Sequence, residues 1–254
     1  MCFGEATKFA QRLLDAPKAY TATFRFGVTT TTGDAEGDVR QVRDVRVTRE
    51  ALAQVLRRFL GEQDQLPPMY SALKFEGRAY YEHARAGRDI PRAPRGIFVA
   101  ALDLVDWSTP DAVVAIRCSK GTYVRVLAED IGEALGCGAH LAALRRTGTG
   151  GFVIDQAISM ERLEALTTGE RDDLLLPAQS LIEGMPTVEL AAEDASRFRQ
   201  GQRVPATSGA AGECAVFSQG EFLGIAMVED GVASPRRVLA KRPGRLAEII
   251  DFGL

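Results

Sequence analysis

Basic and aromatic side chains that could bind nucleic acid are concentrated in residues 67–95. From position 74 to position 95 there are six basic residues and three acidic ones, a local charge of +3. Positive charge attracts phosphate groups, and aromatic rings offer faces on which bases can stack. A solvated loop whose tyrosines pack back onto the core has the same composition, so this stretch alone leaves both interpretations open. The basic residues are Lys74, Arg78, Arg85, Arg88, Arg92 and Arg95, and the aromatic residues are Tyr70, Phe75, Tyr80 and Tyr81.

The chain as a whole is slightly acidic, with 31 basic and 34 acidic residues and a net charge of −3. Any nucleic-acid binding must therefore come from a local basic patch rather than from the bulk charge. With 254 residues, of which 46% are hydrophobic and 26% charged, the chain can bury a sizeable core in one large or two smaller domains. This composition argues against a disordered or fibrous protein.

Cysteine and histidine contents argue against a zinc site or a disulfide framework. The four cysteines are widely scattered without a CxxC motif, and the chain has two histidines. No apolar run approaches the roughly 18 residues of a membrane span, and the start lacks the basic and then apolar pattern of a signal peptide. We therefore expect a soluble cytoplasmic protein with reduced thiols, without a metal ion and without a membrane anchor.

The hydrophobic pattern predicts several strands and helices around this basic stretch. Residues 20–27 alternate apolar and polar side chains, as a half-buried strand does, and strand-like runs follow at 97–105 and 112–118. Thr48 can cap a helix that Gly61 ends. A second helix follows Thr122, with Val124, Leu127, Ile131 and Leu135 on one face, and a short third helix is predicted over residues 139–146.

The composition changes near Gly184, which begins a plausible linker, Gly184-Met-Pro186. The residues beyond it predict one short helix, over 192–200, and short strands separated by the turn dipeptides Gln219-Gly220 and Asp230-Gly231. This pattern is typical of a small barrel or sandwich. We therefore predict one domain over residues 1–183, with an insertion at about 67–95, and a second domain over 184–254.

Six short motifs lie in order along the chain, and they are Gly4–Lys8 (GEATK), Lys18–Tyr20 (KAY), Gly27–Gly37 (GVTTTTGDAEG), Pro68–Lys74 (PMYSALK), Cys118–Arg125 (CSKGTYVR), and Gly136–His140 (GCGAH) through Leu144–Arg146 (LRR). Together they resemble the TruB family of bacterial tRNA pseudouridine synthases. The match runs to about residue 155 with short gaps. The tail is similar to the small PUA-type RNA-binding barrel that ends these enzymes, chiefly at Phe222–Ala226 (FLGIA) and Pro235–Arg237 (PRR).

The resemblance implies an α+β fold, with a mixed, largely antiparallel central sheet, flanking helices and a C-terminal PUA-like β-barrel. It implies a tRNA pseudouridine(55) synthase, an isomerase that flips a uridine out of the T-arm of tRNA. Such an enzyme detaches the uracil from its bond to the sugar through nitrogen, rotates it, and rejoins it through carbon. The family needs neither a metal nor an organic cofactor. We expect tRNA as the partner of a monomeric chain.

The family's nucleophile is an aspartate in a Gly-x-x-Asp-Pro-x-Ala-x-Gly loop immediately before the Cys-x-Gly-Glu-Ala-Thr-Lys motif. This sequence begins inside the latter motif, so the loop and a histidine that accompanies the nucleophile are not in it. We expect a misplaced start codon or a fragmentary gene, and we expect the 254-residue chain to be inactive by itself.

Arg125 matches the family arginine that pairs with the catalytic carboxylate, where a cation favours the ionised, nucleophilic form. As an ordinary helix residue it would instead pair with Glu129, one turn further on. Asp34 matches an aspartate at the edge of the pocket that could hold Arg125, although the usual role of an aspartate in such a loop is an Asx-turn. We expect Arg125 and Asp34 to be the catalytic-site residues that this chain contains.

Three residues match positions of the family's uridine pocket. Tyr20 matches the tyrosine that lies against the flipped base, where an aromatic face offsets the lost stacking. Tyr123 and Leu144 match residues that line the pocket, although both also fit an ordinary apolar core. In residues 67–95, which resemble the tRNA-gripping thumb of these enzymes and are called the thumb below, the expected RNA-binding residues are Lys74, Arg85, Arg88 and Arg92.

A non-catalytic tRNA-binding protein descended from this family is the main alternative, because the nucleophile is absent from the sequence. The presence of Arg125, Tyr20 and Tyr123 favours the enzyme, since a binding relic needs no arginine to pair with a carboxylate. A guide-RNA-dependent archaeal or eukaryotic relative is a third alternative. The thumb-like segment from Tyr70 to Arg95 argues against it, because that segment resembles the thumb of the stand-alone bacterial enzymes.

Overall fold

The structure, a computed structural model, describes residues 1–206 and 209–240. Contacts divide the chain into a larger unit, residues 14–160, and a smaller unit, which combines residues 1–13 with the described residues from 161 onward. The domain boundary near Gly184 stays a prediction.

A six-stranded sheet forms the centre of the larger unit. All of its strand pairs are antiparallel, and the strand order is 10-9-1-8-7-4. Two pairs of short strands lie outside it, strands 2 with 3 and 5 with 6. The strands of this unit are β1 (Lys18–Phe26), β2 (Val28–Thr30), β3 (Val39–Val42), β4 (Gly61–Gln65), β5 (Lys74–Phe75), β6 (Arg78–Ala79), β7 (Arg95–Ser108), β8 (Asp111–Cys118), β9 (Ala139–Thr149) and β10 (Phe152–Val153).

Helices cover one face of this sheet. The alternation in β1 places Ala22, Phe24 and Phe26 in the core. There they pack with Leu52 of helix α2 (Arg49–Arg58) and Leu127 of helix α4 (Val124–Ala134). Thr48 caps α2 as predicted, because its side chain accepts a hydrogen bond from the Ala51 N–H. The larger unit contains the helices α2, α3 (Tyr80–Arg85) and α4 and a 3-10 helix at Ile154–Gln156. The helices α1 (Ala10–Asp15) and α5 (Met160–Ala165) include the residues at which the two units meet along the chain.

The predicted helix over residues 139–146 is wrong, because these residues form strand β9. Alanine, leucine and arginine favour a helix in isolation, and this preference produced the prediction. In the folded chain β9 lies between β1 and β10, so its backbone groups complete the hydrogen bonding of the β1 edge. Gly136 and Gly138, both with positive φ, separate the strand from the end of α4.

The smaller unit is built around a five-stranded sheet with the strand order 11-13-14-15-12. Strands 11 and 13 pair in parallel, and the other pairs are antiparallel. Phe198, Val188 and Leu223 lie in its core. Its strands are β11 (Thr187–Glu189), β12 (Val204–Pro205), β13 (Gly212–Ser218), β14 (Glu221–Glu229) and β15 (Val232–Val238), and its helices are α6 (Thr168–Asp173), α7 (Ala192–Arg199) and 3-10 helices at Gly4–Phe9 and Ala178–Ile182.

The short helix and the strands predicted beyond Gly184 are therefore present. Within residues 1–206 and 209–240 no helix is long and apolar enough to cross a membrane.

Gly132 allows α4 to approach β9 closely. A Cβ atom on this glycine would lie 2.3 Å from the backbone N of Ala139 and 2.4 Å from the carbonyl carbon of Gly138. These are backbone atoms, and the turn that carries them is itself bonded to α4, since the Gly138 N–H donates to the Gly132 carbonyl at 2.9 Å. A larger residue must therefore shift the helix or the strand.

We predict that Gly132→Ala lowers the free energy of unfolding of the larger unit by about 1–3 kcal/mol, the usual effect of overpacking. Alanine's better helix propensity, worth about 1 kcal/mol, acts in the opposite direction. The fluorescence of Trp107, the single tryptophan of the chain, reports denaturant unfolding because its ring packs against Phe26 in this unit. Gly96→Ala is the control, since its Cβ would meet nothing within 4 Å. Equal stabilities of the two variants would contradict the close contact.

Candidate active site

An ion pair between Arg125 and Asp34 lies at the N-terminal end of α4. Arg125 is in the first turn of this helix, and Asp34 is in the loop between β2 and β3. The Arg125 Nη1 donates to Asp34 Oδ2 at 2.9 Å, and the two side chains are 25% and 23% exposed. The structure therefore brings together the two residues that the sequence placed at the centre of the site.

The two carboxylate oxygens of Asp34 have different partners. Oδ1 accepts hydrogen bonds from the Thr32 hydroxyl at 2.5 Å and from the Glu36 N–H at 3.2 Å, and the latter closes an Asx-turn. Oδ2 accepts from Arg125. The loop is also bonded to β9, because the Ala35 N–H donates to the Leu141 carbonyl at 3.0 Å. The local turn and the ion pair are thus compatible, and the turn directs Oδ2 towards the arginine.

Arg125 keeps donors for a second acceptor. Among the described residues, its hydrogen bonds come from Nη1 alone, to Asp34 and, at 3.5 Å, to the Thr32 carbonyl. A guanidinium group has five N–H donors in a planar fork. Nε and Nη2 therefore remain for another carboxylate. Arg125 bonds to Asp34 rather than to Glu129, the partner expected of an ordinary helix residue.

Tyr20 contacts Arg146 of the neighbouring strand. The Arg146 guanidinium carbon lies 5.5 Å from the centre of the tyrosine ring, and Nη2 donates to the Tyr20 hydroxyl at 3.3 Å. The register pairs Tyr20 with Arg146 and Ala22 with Leu144. Opposite residues of an antiparallel pair share one face of the sheet, so Leu144 lies on the Tyr20 side. Leu144 is 47% exposed, which leaves an apolar surface beside the tyrosine.

Tyr123 is the residue that precedes α4, and its main chain is held by Gln65. The Gln65 Oε1 accepts from the Tyr123 N–H at 2.8 Å, and Nε2 donates to the Tyr123 carbonyl at 3.1 Å. The side chain of Tyr123 makes no capping hydrogen bond to the helix. Tyr123 and Arg125 are therefore positioned by the same backbone segment.

The thumb residues fall into two groups. Lys74, Arg85 and Arg88 are exposed, and the guanidinium of Arg85 lies over the ring of Tyr81, 5.4 Å from its centre. Arg92 is half-buried and donates to the Pro67 carbonyl at 2.9 Å. Three of the predicted RNA-binding residues are thus available to a phosphate, whereas the fourth has a main-chain partner within the thumb.

Arg146, Gln65 and Glu129 also belong to this region, although the sequence motifs assigned none of them a role in it. The helix predicted over residues 139–146 left Arg146 without a partner in β1, because the pairing of Tyr20 with Arg146 exists only when these residues form a strand. Gln65 carried no signal, because its partner Tyr123 is 58 residues away in the chain. Glu129 was considered only as an alternative partner of Arg125.

Glu129 brings a half-buried carboxyl group close to the ion pair. A Cβ on Gly33 would lie 2.8 Å from its Oε2, so the carboxyl group is packed against the Asp34 loop. Burial raises the pKa of Glu129 above its ordinary value of 4.5, and the charge of Asp130 adds to this effect. Arg40 and Arg125 act in the opposite direction. Ionising Glu129 therefore costs the folded state free energy.

A group of three or more His, Cys, Asp or Glu side chains that could hold a metal ion is not found in the part of the chain that the structure describes.

We predict that Glu129→Gln raises the free energy of unfolding at pH 8 and that the gain disappears towards pH 4. The folded protein holds the Glu129 proton more tightly than the unfolded chain does, so the protonated carboxyl group stabilises the fold at low pH. This stabilisation is lost as the pH rises through the pKa that Glu129 has in the folded protein. Glutamine stays neutral at every pH. Denaturant unfolding at both pH values measures the difference, with Glu62→Gln on the exposed side of β4 as the control. A gain of equal size at both pH values would contradict the raised pKa.

Comparison with known proteins gives consistent matches along the chain. Residues 1–124 match the model of the TruB family pseudouridylate synthase N-terminal domain. Residues 125–183 match that of the tRNA pseudouridylate synthase B C-terminal domain, and residues 186–239 match that of the pseudouridine synthase II TruB C-terminal region.

Relatives named tRNA pseudouridine synthase B occur in several bacteria. The relative from Thiobacillus denitrificans is 51% identical over 241 residues, which cover 94% of this chain and 81% of that protein. The relative from Burkholderia mallei is 49% identical over 247 residues, which cover 94% of this chain and 82% of that protein.

Two solved structures share the fold. One chain of a Cbf5–Nop10–Gar1 complex superposes with a TM-score of 0.69 at 22% identity, over 93% of this chain and 70% of that one. A chain of an H/ACA RNP bound to a substrate RNA superposes with a TM-score of 0.68 at 20% identity, over 95% of this chain and 71% of that one. The predicted α+β fold with a PUA-like C-terminal region is confirmed. With its catalytic-domain and C-terminal regions both matched, the chain belongs to the TruB family of pseudouridine synthases.

Proposed function

We propose that this chain belongs to an enzyme that isomerises uridine 55 in the T-arm of tRNA to pseudouridine. The chain supplies Arg125, Asp34, Tyr20, Tyr123 and Leu144 to the active site, whereas the family's nucleophilic aspartate is not among its 254 residues. The observation that carries the proposal is the Arg125–Asp34 ion pair at the start of α4, in a chain of the TruB family. The relatives at 51% and 49% identity are named for tRNA, which supports tRNA as the substrate.

Arg125 supports the enzyme over the non-catalytic binding protein. Asp34 holds the guanidinium through Nη1, and Nε and Nη2 remain for the family's nucleophilic aspartate. A cation beside that carboxylate favours its ionised form and fixes its position for attack. A protein that only grips tRNA has no use for such an arrangement.

The other residues of the site hold the flipped nucleotide. Tyr20 offers its ring to the uracil, which compensates for the stacking lost when the base leaves the RNA helix. Leu144 supplies an exposed apolar surface on the same face of the sheet. Arg146, bonded to the Tyr20 hydroxyl, places a positive charge beside the tyrosine, where it can attract a phosphate of the RNA.

The thumb supplies backbone contacts that are independent of the base. Its exposed cations Lys74, Arg85 and Arg88 can neutralise phosphates, which position the RNA without reading its sequence. We place this activity in the cytoplasm and assign it to a monomer.

We predict that Arg125→Ala lowers kcat about a hundredfold or more, the usual loss on removing an electrostatic stabiliser of the reaction. The dissociation constant for tRNA should change about twofold or less, because binding energy is spread over many phosphate contacts. Tritium release from uridine-labelled tRNA measures kcat in a version of the enzyme that carries the family's aspartate loop before Met1.

Arg46→Ala is the control for this prediction, since its side chain is 88% exposed and lies outside the site. Equal losses in kcat and in tRNA affinity on changing Arg125 would instead make that residue a phosphate ligand.

We predict that a triple variant, Lys74→Gln, Arg85→Gln and Arg88→Gln, weakens tRNA binding and flattens its salt dependence. Each lost contact should reduce the slope of log K against log salt by roughly 0.7 on single strands or about 0.9 on duplex RNA. Titration of the 254-residue chain with tRNA at several salt concentrations measures the slope.

A second triple variant, Arg46→Gln, Arg49→Gln and Arg58→Gln, is the matched control, because it removes the same charge from exposed positions outside the thumb. A slope that changes equally in both variants, or in neither, would remove the thumb from the binding mechanism.

A further inference from the structure

The Gln65 side chain makes a two-point contact with the main chain of Tyr123. Gln65 is the last residue of β4 and is 4% exposed. Its amide both accepts from the Tyr123 N–H at 2.8 Å and donates to the Tyr123 carbonyl at 3.1 Å. A glutamine amide can do this because it carries an acceptor and donors at its end. The side chain thus gives Tyr123 the pair of hydrogen bonds that a neighbouring strand would supply.

This contact acts on the start of α4. The Tyr123 carbonyl also accepts the first helical hydrogen bonds, from the N–H groups of Val126 at 3.1 Å and Leu127 at 3.2 Å. Tyr123 therefore stands between Gln65 on one side and the first turn of the helix on the other. That turn carries Arg125 to Asp34. A displacement of Tyr123 consequently moves the arginine of the ion pair.

Gln65 is also at the root of the thumb. The chain leaves the six-stranded sheet at Gln65 and returns to it at Arg95, and these two residues are paired in the β4–β7 ladder. One step outward, Arg92 donates to the carbonyl of the buried Pro67, which joins the outgoing and the returning segments. The residue that grips Tyr123 is therefore the point from which the thumb extends.

We propose that Gln65 is a positioning residue that connects the root of the thumb to the start of α4. It thereby fixes the position of the thumb's phosphate-binding residues relative to the base pocket. The inference rests on the proposed function, because it assigns RNA to the thumb and the flipped base to the pocket. It predicts that Gln65 affects recognition of the base and not the phosphate-driven affinity. A residue that only stabilises the fold would affect both equally.

The test compares two T-arm RNA hairpins, one with uridine at the target position and one with an abasic site there. Both bind through phosphates, and only the first can fill the pocket. Base recognition is measured, without requiring turnover, as a ratio: the dissociation constant of the abasic hairpin divided by that of the uridine hairpin, both with the 254-residue chain. We expect the wild-type chain to prefer the uridine hairpin.

Gln65→Met keeps the length of the side chain and removes both hydrogen bonds. It should lower the ratio about fivefold or more, the size of a typical coupling between sites, while the abasic hairpin binds within about twofold of wild type. Gln65→Asn keeps both the acceptor and the donor but draws them back by one methylene group, so a smaller reduction is expected. The Asn variant carries the test if the Met variant does not fold.

Gln63→Met is the matched control. Gln63 is in the same strand, and its Nε2 donates to the carbonyl of Phe59 at 2.7 Å, away from Tyr123. Its ratio should equal that of the wild type. An unchanged ratio in the Gln65 variants, or equal losses for both hairpins, would overturn the inference while the proposed function stands. A wild-type chain without preference for uridine would overturn the proposed base pocket itself.

Discussion

The ion pair between Arg125 and Asp34 is the interaction on which the rest of the site depends. Both side chains are about three-quarters buried, so each charge needs its partner. The pair joins a helix to a loop that are 91 residues apart in the chain. Its geometry requires the Asx-turn at Asp34, which leaves one carboxylate oxygen for the arginine. It also requires a fixed first turn of α4.

Glycines allow these elements to come close enough. Gly33, with φ of +76°, lets the Asp34 loop pack against Glu129, which a side chain at that position would displace. Gly132 lets α4 pack against the start of β9 in the same way. Because β9 also bonds to the Asp34 loop through Leu141, helix, loop and strand form one connected framework around the ion pair.

Polar groups link the thumb to the site. The Gln65 side chain bonds the end of β4, where the thumb begins, to the main chain of Tyr123. Arg92 donates a hydrogen bond to the Pro67 carbonyl and so connects the two segments at the root of the thumb. Hydrogen bonds to main-chain groups have strict geometry, so they transmit position more directly than apolar contacts do. Burial excludes water from Gln65, which makes its two bonds costly to leave unmade.

The sequence by itself was sufficient for the strands and helices with strong periodicity, such as β1, α2 and α4, and for the family through six ordered motifs. It was also sufficient to name Arg125 and Asp34 as partners, because the motifs carried both. Tertiary structure decided that residues 139–149 are a strand, because the hydrogen bonds that they form with the edge of β1 outweigh their local preference for a helix. It alone brought Arg146 to Tyr20 and Gln65 to Tyr123, because residues 126 and 58 positions apart in the chain become neighbours only when the chain folds.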